Sequence, residues 1–231
     1  MNQTTKELLN LIRKSTSPYH TVAASKELLL ANGFTQLSLG EDWTLAPESK
    51  YFVTVFDSSL FAFRTGTAGS RGLKIAAAHT DFPCFRLKPA AEVSTQGYGT
   101  LNVEGYGGMI VSTWMDRPLS LAGKIVTRTS DPFKPQTHLV DFKRPLLSMS
   151  SLAIHMNREV NDGYKWNKQK DVLPLATMLG EDPEDKHFFQ NFLAKELQAA
   201  PEDILSFELS TYPVEEGCTF GLKEEFISSG R

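Results

Sequence analysis

At 231 residues, 41% hydrophobic and 22% charged, the chain has the size and make-up of a globular protein with one large domain or two small ones. Its formal net charge of −3 argues against a nucleic-acid partner or an anionic membrane surface, each of which favours a basic face. Cys84 and Cys218, far apart and in no CxxC pair, argue against a disulfide framework and for a reducing compartment, so a cytoplasmic location is expected.

The chain opens MNQTTKELLNLIRKST, without the apolar h-region of a signal peptide, and no later run approaches the roughly 20 apolar residues of a membrane span. Leu8, Leu9, Leu11 and Ile12 recur at helical spacing and predict a helix over Thr5 to Arg13. After the break at Ser17-Pro18 a second helix is predicted from about Tyr19 to Ala31, with Pro18 in its first turn and Asn32-Gly33 as its stop. Tyr51 to Phe56 and Leu60 to Arg64 read as a hairpin around Asp57-Ser58-Ser59. Gly66 to Gly72 reads as a loop leading into Leu73-Lys74-Ile75-Ala76-Ala77-Ala78, an apolar run of the kind expected for a buried central strand. Beyond Lys88 the texture changes. Between Val93 and Phe142, short β-type runs at Thr100–Val103, Ile110–Met115, Lys124–Arg128 and His138–Phe142 are broken by Gly, Pro and Asp, as in an antiparallel β unit. A helix fits Pro183 to Ala199, with Phe188, Phe189, Phe192, Leu193 and Leu197 on one face, and Ile204 to Ser210 reads as a further strand.

The sharpest local chemistry is Ala78-His79-Thr80-Asp81. Ligands collect at the carboxyl ends of strands in open α/β sheets, and neutral imidazole is a good zinc ligand. A ligating histidine donates its other ring N–H to a carboxylate, and Asp81 is near enough in sequence to accept it. On spacing alone a purely structural His–Asp pair remains the alternative, since an isolated HxD is a weak motif. His20 reads as a helix-start residue with a surface or capping role. His138 and His187 read as solvated, and His155, closing Leu152-Ala153-Ile154, as a satisfied, partly buried histidine. No GxSxG, GxxxxGK[ST], GxGxxG or HExxH is present, so serine-hydrolase, phosphate-loop and zincin chemistries lack their signatures. Cys84 follows Pro83 without a histidine neighbour and reads as a small buried hydrophobe.

Several segments, in order and over essentially the whole chain, match one family: Ser17-Pro18-Tyr19-His20, Tyr51-Phe52-Val53, Asp57-Ser58-Ser59-Leu60, Ala62-Phe63-Arg64, and the run from Ala78 to Lys88. They continue with Val103 to Gly108, Ser112-Thr113-Trp114-Met115-Asp116-Arg117-Pro118 through Gly123, and Leu152-Ala153-Ile154-His155-Met156-Asn157-Arg158. In these the chain resembles the aspartyl and vacuolar aminopeptidases, dinuclear zinc exopeptidases. The resemblance implies an α/β fold: a zinc-peptidase-like α/β sandwich begun over 1–88, an inserted, mostly antiparallel β dimerisation domain over 89–222, and a return to the catalytic domain at 223–231. It implies His79 as ligand to one of two zinc ions, Asp81 orienting it, and His155 reaching the active site of a neighbouring subunit in a homo-oligomer. The implied reaction is hydrolysis of the first residue, often acidic, from peptides with a free N-terminus. Metal ions lower the pKa of a bridging water and polarise the scissile carbonyl, and a glutamate acts as base.

Members of that family are considerably longer. The run Glu225 to Arg231 looks like the stretch just before the metal-bridging aspartate. That aspartate, the paired glutamates and the later aspartate and histidine are not in the sequence, whereas a catalytic zinc normally takes three protein ligands. Glu224-Glu225 lies in surroundings unlike the family's glutamate pair and reads as a solvated charge cluster, while Phe82 stands where relatives commonly carry Ser and is expected to alter the pocket. The chain is therefore expected to be the N-terminal portion of a metalloaminopeptidase, inactive alone, with a companion C-terminal fragment supplying the rest. Uncovered sheet edges and apolar faces are expected in its α/β part. The alternatives are a non-catalytic assembly module acting through the dimerisation domain and an unrelated β-rich binding protein.

Overall fold

The structure is a computed structural model that describes residues 1–67 and 72–230, with Pro183 and Glu184 described by backbone alone. Residues 68–71 of the expected Gly66–Gly72 loop, and Arg231 at the end of the expected 223–231 return, lie outside the described residues. Internal contacts divide the chain into two units, Met1–Phe82 with Thr219–Phe226, and Pro83–Cys218 with Ile227–Arg231.

The first unit opens with helix α1, Gln3–Lys14. Asn2 Oδ1 accepts from Thr5 N at 2.8 Å, and Arg13 and Lys14 lie in the last turn, where positive charge meets the carbonyl end. Leu9, Leu11 and Ile12 are half-buried, and Leu8 is exposed. Helix α2, Pro18–Ala31, starts on the Ser17 hydroxyl, which accepts from His20 N at 3.3 Å. His20 joins the same cap through Nδ1, 2.8 Å from Ser17 Oγ. Asn32 and Gly33 end the helix, the glycine at φ 76°. Strands β1 (Thr35–Gln36), β2 (Lys50–Val55) and β3 (Ser59–Arg64) form a sheet in that order, with β1 parallel and β3 antiparallel to β2. Phe56 and Asp57, at φ 51° and 56°, turn the β2–β3 hairpin as a tight two-strand turn demands. Tyr51, Phe52 and Val53 are consecutive and all buried, so both faces of β2 are covered.

The expected central strand at 73–78 is absent. These residues belong to no strand, and Leu73 and Ile75 are 89% and 81% exposed. An apolar run becomes a central strand only between two neighbours that accept its backbone bonds, and no strand among the described residues lies beside it.

The second unit is built on β4 (Cys84–Thr95), β5 (Tyr98–Tyr106), β6 (Leu119–Thr127), β7 (Gln136–Asp141), β8 (Leu175–Met178), helix α3 (Phe188–Leu197) and β9 (Ile204–Pro213). The strands form one antiparallel sheet in the order β7-β6-β9-β4-β5-β8. Phe85, Leu87, Leu101, Val103, Leu119, Leu121, Ile125 and Leu209 are buried at alternate positions of its inner strands, and α3 contributes Phe189 and Leu193 to the core. Each such side chain removed from water stabilises the unit by about 1.5–3 kcal/mol. Strands β10 (Cys218–Phe220) and β11 (Phe226–Ser228) then pair with each other. The architecture is α/β with one small mixed sheet and one mostly antiparallel sheet, as expected. Among the described residues no helix is long and apolar enough to cross a membrane.

Three further expectations need correction. Ile110–Met115 is not a strand: Val111–Trp114 is a 3-10 turn in which the Thr113 hydroxyl donates to Ile110 O at 2.7 Å, a local bond that competes with a ladder. The expected helix from Pro183 is a 3-10 turn over Pro183–His187, and α3 begins at Phe188. There Glu92 Oε1, from distant β4, accepts from Phe189 N and Gln190 N at 2.9 and 3.0 Å and supplies the missing cap. His138, expected to be solvated, is half-buried with Nε2 2.8 Å from Thr127 Oγ1 across the β6–β7 pair.

Candidate metal site

The His79 ring lies just before Phe82, where the first unit's first segment ends. Thr80 Oγ1 donates to Ser58 O at 2.8 Å and ties the Ala78–Asp81 stretch to the tip of the β2–β3 hairpin. Two segments 22 residues apart are thus held together by one side chain. The flanking residues 79 and 81 then face each other: His79 Nδ1 is 3.0 Å from Asp81 Oδ1. A carboxylate accepts, so the ring proton resides on Nδ1 and the Nε2 lone pair is left for another partner. The His79 side chain is 90% exposed and that of Asp81 26%. The charge that anchors the ring is therefore sheltered, while the ring itself is open.

The residues present fit a metal ion as one donor with its orienting carboxylate. They do not complete a centre: among the described residues no group of three or more His, Cys, Asp or Glu is placed to hold a metal. Cys84, three residues beyond Asp81, is 3% exposed and heads β4, a packed residue rather than a donor. Glu224 and Glu225 are exposed, and Glu225 Oε2 accepts from Lys223 N at 2.9 Å in a local turn.

His155 belongs to the second unit. It was expected to be partly buried, but it is exposed, in a turn closed by Met156 N to Ala153 O at 2.8 Å. The neighbouring Leu152, Ile154 and Met156 are 58%, 47% and 74% exposed, so the apolar stretch that implied burial faces outward. What holds the base of this segment escaped the sequence reading. Asp116 N donates to Met149 O at 2.7 Å, and Asp116 Oδ1 accepts from Ser151 N at 2.8 Å. The hydroxyl and amide of Ser151 hold the Asp116 carboxyl below its usual range. Only the position of Asp116 within the matched Ser112–Gly123 run marked it out; its partner is 35 residues away.

Comparison with known proteins identifies the family. The family described as aminopeptidase I zinc metalloprotease (M18) matches residues 11–231. The chain is 43% identical over 229 residues to a probable M18 family aminopeptidase 2 of Clostridium acetobutylicum, covering 98% of this chain and 53% of that protein. It is 38% identical to the corresponding protein of Pseudomonas fluorescens, covering 97% and 53%. Among solved structures, the cryo-EM structure of the Ape4 and Nbr1 complex superposes with a TM-score of 0.86 at 34% identity, over 96% of this chain and 46% of that one. The M18 aminopeptidase of Thermotoga maritima shares the fold, with a TM-score of 0.79 at 20% identity, over 97% and 50%. The chain spans about half the length of the relatives it matches. With a family match running from residue 11 to the last residue, the chain belongs to the aminopeptidase I zinc metalloprotease (M18) family.

Proposed function

We propose that this chain forms part of a zinc aminopeptidase, contributing one ligand of a two-zinc centre and the segment that carries His155. The observation that carries the reading is the His79–Asp81 pair: a 3.0 Å bond that fixes the tautomer, with the free nitrogen on an open ring. His79 Nε2 is the ligating atom, and Asp81 holds the imidazole's orientation and raises its basicity. Zinc, when bound, supplies Lewis-acid activation of water and of the scissile carbonyl. The remaining ligands and the glutamate base come from polypeptide outside these 231 residues, whether continuous with them or a companion chain. Support for this comes from the relatives, of which the chain spans about half, and from the lack, among the described residues, of any group of three or more His, Cys, Asp or Glu placed to hold a metal.

Substrates in this reading are peptides with a free N-terminus and, often, an acidic first residue. The antiparallel sheet of the 89–222 region mediates homo-oligomer formation, and His155 reaches the reaction centre of a neighbouring subunit. Its support is the exposed Leu152, Ile154 and Met156 around an exposed imidazole. A cytoplasmic setting is supported by two unbridged cysteines.

The test is zinc content and hydrolysis of aspartyl, glutamyl and leucyl anilides, with and without a polypeptide corresponding to the other half of the relatives. Zinc uptake and cleavage are expected only for the pair, and His79→Ala in the pair is expected to lose more activity than the ~10–100-fold that loss of an orienting partner costs. Two zinc ions and peptide cleavage in the 231-residue chain alone would overturn the ligand assignment.

A second reading is a non-catalytic assembly module, favoured by the lack of a complete metal-ligand group among the described residues. It requires stable self-association without metal; a strictly monomeric chain in sedimentation would remove it.

A further inference from the structure

The segment bearing His155 has no strand or helix from Ser150 to Asp171. Its backbone is stitched to the 115–119 stretch at its start: Leu119 N donates to Leu147 O at 2.8 Å, Met115 and Met149 form a parallel bridge, and Asp116 N donates to Met149 O. The next bond outward is Ser151 N to Asp116 Oδ1. Beyond it, from Leu152 to Gly163, the backbone bonds among the described residues are local turns. Only three residues separate Ser151 from His155, so the reach and direction of the imidazole are set where that last bond is made.

Asp116 is built for this at some cost. Its φ is 57°, in the left-handed region where aspartate and asparagine are tolerated and most side chains are strained. That conformation lets one residue donate its own N–H to Met149 O and turn its carboxylate to Ser151 N, grasping the departing chain at two points. The carboxylate form is favoured by both Ser151 donors.

We propose that Asp116 is a positioning residue for His155, a latch that fixes the base of the 150–158 segment so that the imidazole is presented in a defined place. The catalytic consequence rests on the role given to His155 above; the latch itself does not.

The test separates the two. Amide exchange of the 231-residue chain, read residue by residue, is expected to show Ser151 N–H protection falling roughly tenfold in Asp116→Ala, as loss of a charge-assisted bond implies. The loss should be confined to 149–156, with Ile125 in β6 and Leu209 in β9 unchanged. Asp116→Gly removes the carboxylate while relieving the backbone, and should behave like the alanine variant. Asp116→Asn keeps an acceptor oxygen and the left-handed preference, and should restore protection. His155→Ala should leave Ser151 protection as it is. In the zinc-loaded assembly, Asp116→Ala and Asp116→Gly are expected to lower kcat with KM little changed, with Asp116→Asn near the parent. Undiminished Ser151 protection in the alanine and glycine variants overturns the latch, and so does loss spread evenly through the sheet. If protection falls but His155→Ala leaves kcat intact, the latch stands and the role of His155 fails.

Discussion

Replacing Asp81 by asparagine changes His79 without altering its own atoms. The Nδ1–H still finds an oxygen 3.0 Å away, but no negative charge backs it, so Nε2 becomes a poorer donor and the tautomer is less firmly held. Asp81→Asn is expected to weaken zinc binding of the assembled enzyme by about 10–100-fold, with the fold intact, as competition with a fluorescent chelator would measure. Sequence made this pair readable because both members sit two residues apart in one stretch. It could not show that Thr80 fastens the stretch to Ser58, since a threonine between two candidate site residues looks like any other. Asp116 was harder still: its partner lies 35 residues on, and its geometry depends on a positive φ that no residue pattern displays. The outward-facing His155 was misread because an apolar stretch implies burial only if the protein itself covers it.

At the level of elements, the apolar pattern with its cap and turn residues located the first two helices, the β2–β3 hairpin and much of the β unit, because in each the signal and the structure lie in one stretch of chain. It failed at 73–78, where strand formation needs neighbours, and at α3, whose start is set by Glu92 from β4. The β6–β9 pair rests on Gly123, at φ 154°, where an added Cβ would lie 2.0 Å from Glu208 O. That atom is backbone in the paired strand, so neither side can yield cheaply. Gly123→Ala is expected to destabilise the second unit by about 3 kcal/mol or more, seen as a lowered urea midpoint, the clash adding to the conformational cost. The Arg144–Glu196 pair, Nη2 to Oε1 at 2.5 Å, ties the chain after β7 to α3. The Arg144 hydrogen bond lowers the Glu196 pKa, so its contribution is present above the ordinary glutamate pKa and fades as pH falls through the lower folded value. Glu196→Gln is expected to lower the urea midpoint slightly at pH 7, with the difference from the parent shrinking as pH falls below the ordinary glutamate pKa.

Over the whole molecule the exposed apolar side chains are unevenly placed. Leu73 and Ile75 stand out in the first segment of the first unit, as do Phe220, Leu222 and Phe226 in its second segment, Thr219–Phe226. A monomer that exposes so continuous an apolar run tends to be sticky. Lys74 lies within it, in backbone with no ladder to protect it. Brief trypsin treatment is expected to cut at Lys74 before any site in the antiparallel sheet, and under the proposed two-part enzyme the added polypeptide should suppress that cut. A chain uniformly resistant to trypsin would contradict the uncovered state of this run. Leu73→Lys with Ile75→Lys should raise the solubility of the isolated chain and abolish its pairing with that polypeptide.

The Thr80–Ser58 bond has a bearing on evolution and engineering alike. Hairpin tips ordinarily absorb inserted residues with little consequence, since nothing else depends on their length. This one is a tether point for the imidazole, and each residue added to an extended arm would carry the anchoring carbonyl about 3.4 Å away. Lengthening the turn at Asp57-Ser58-Ser59 should therefore be silent in a melting curve and costly in metal capture.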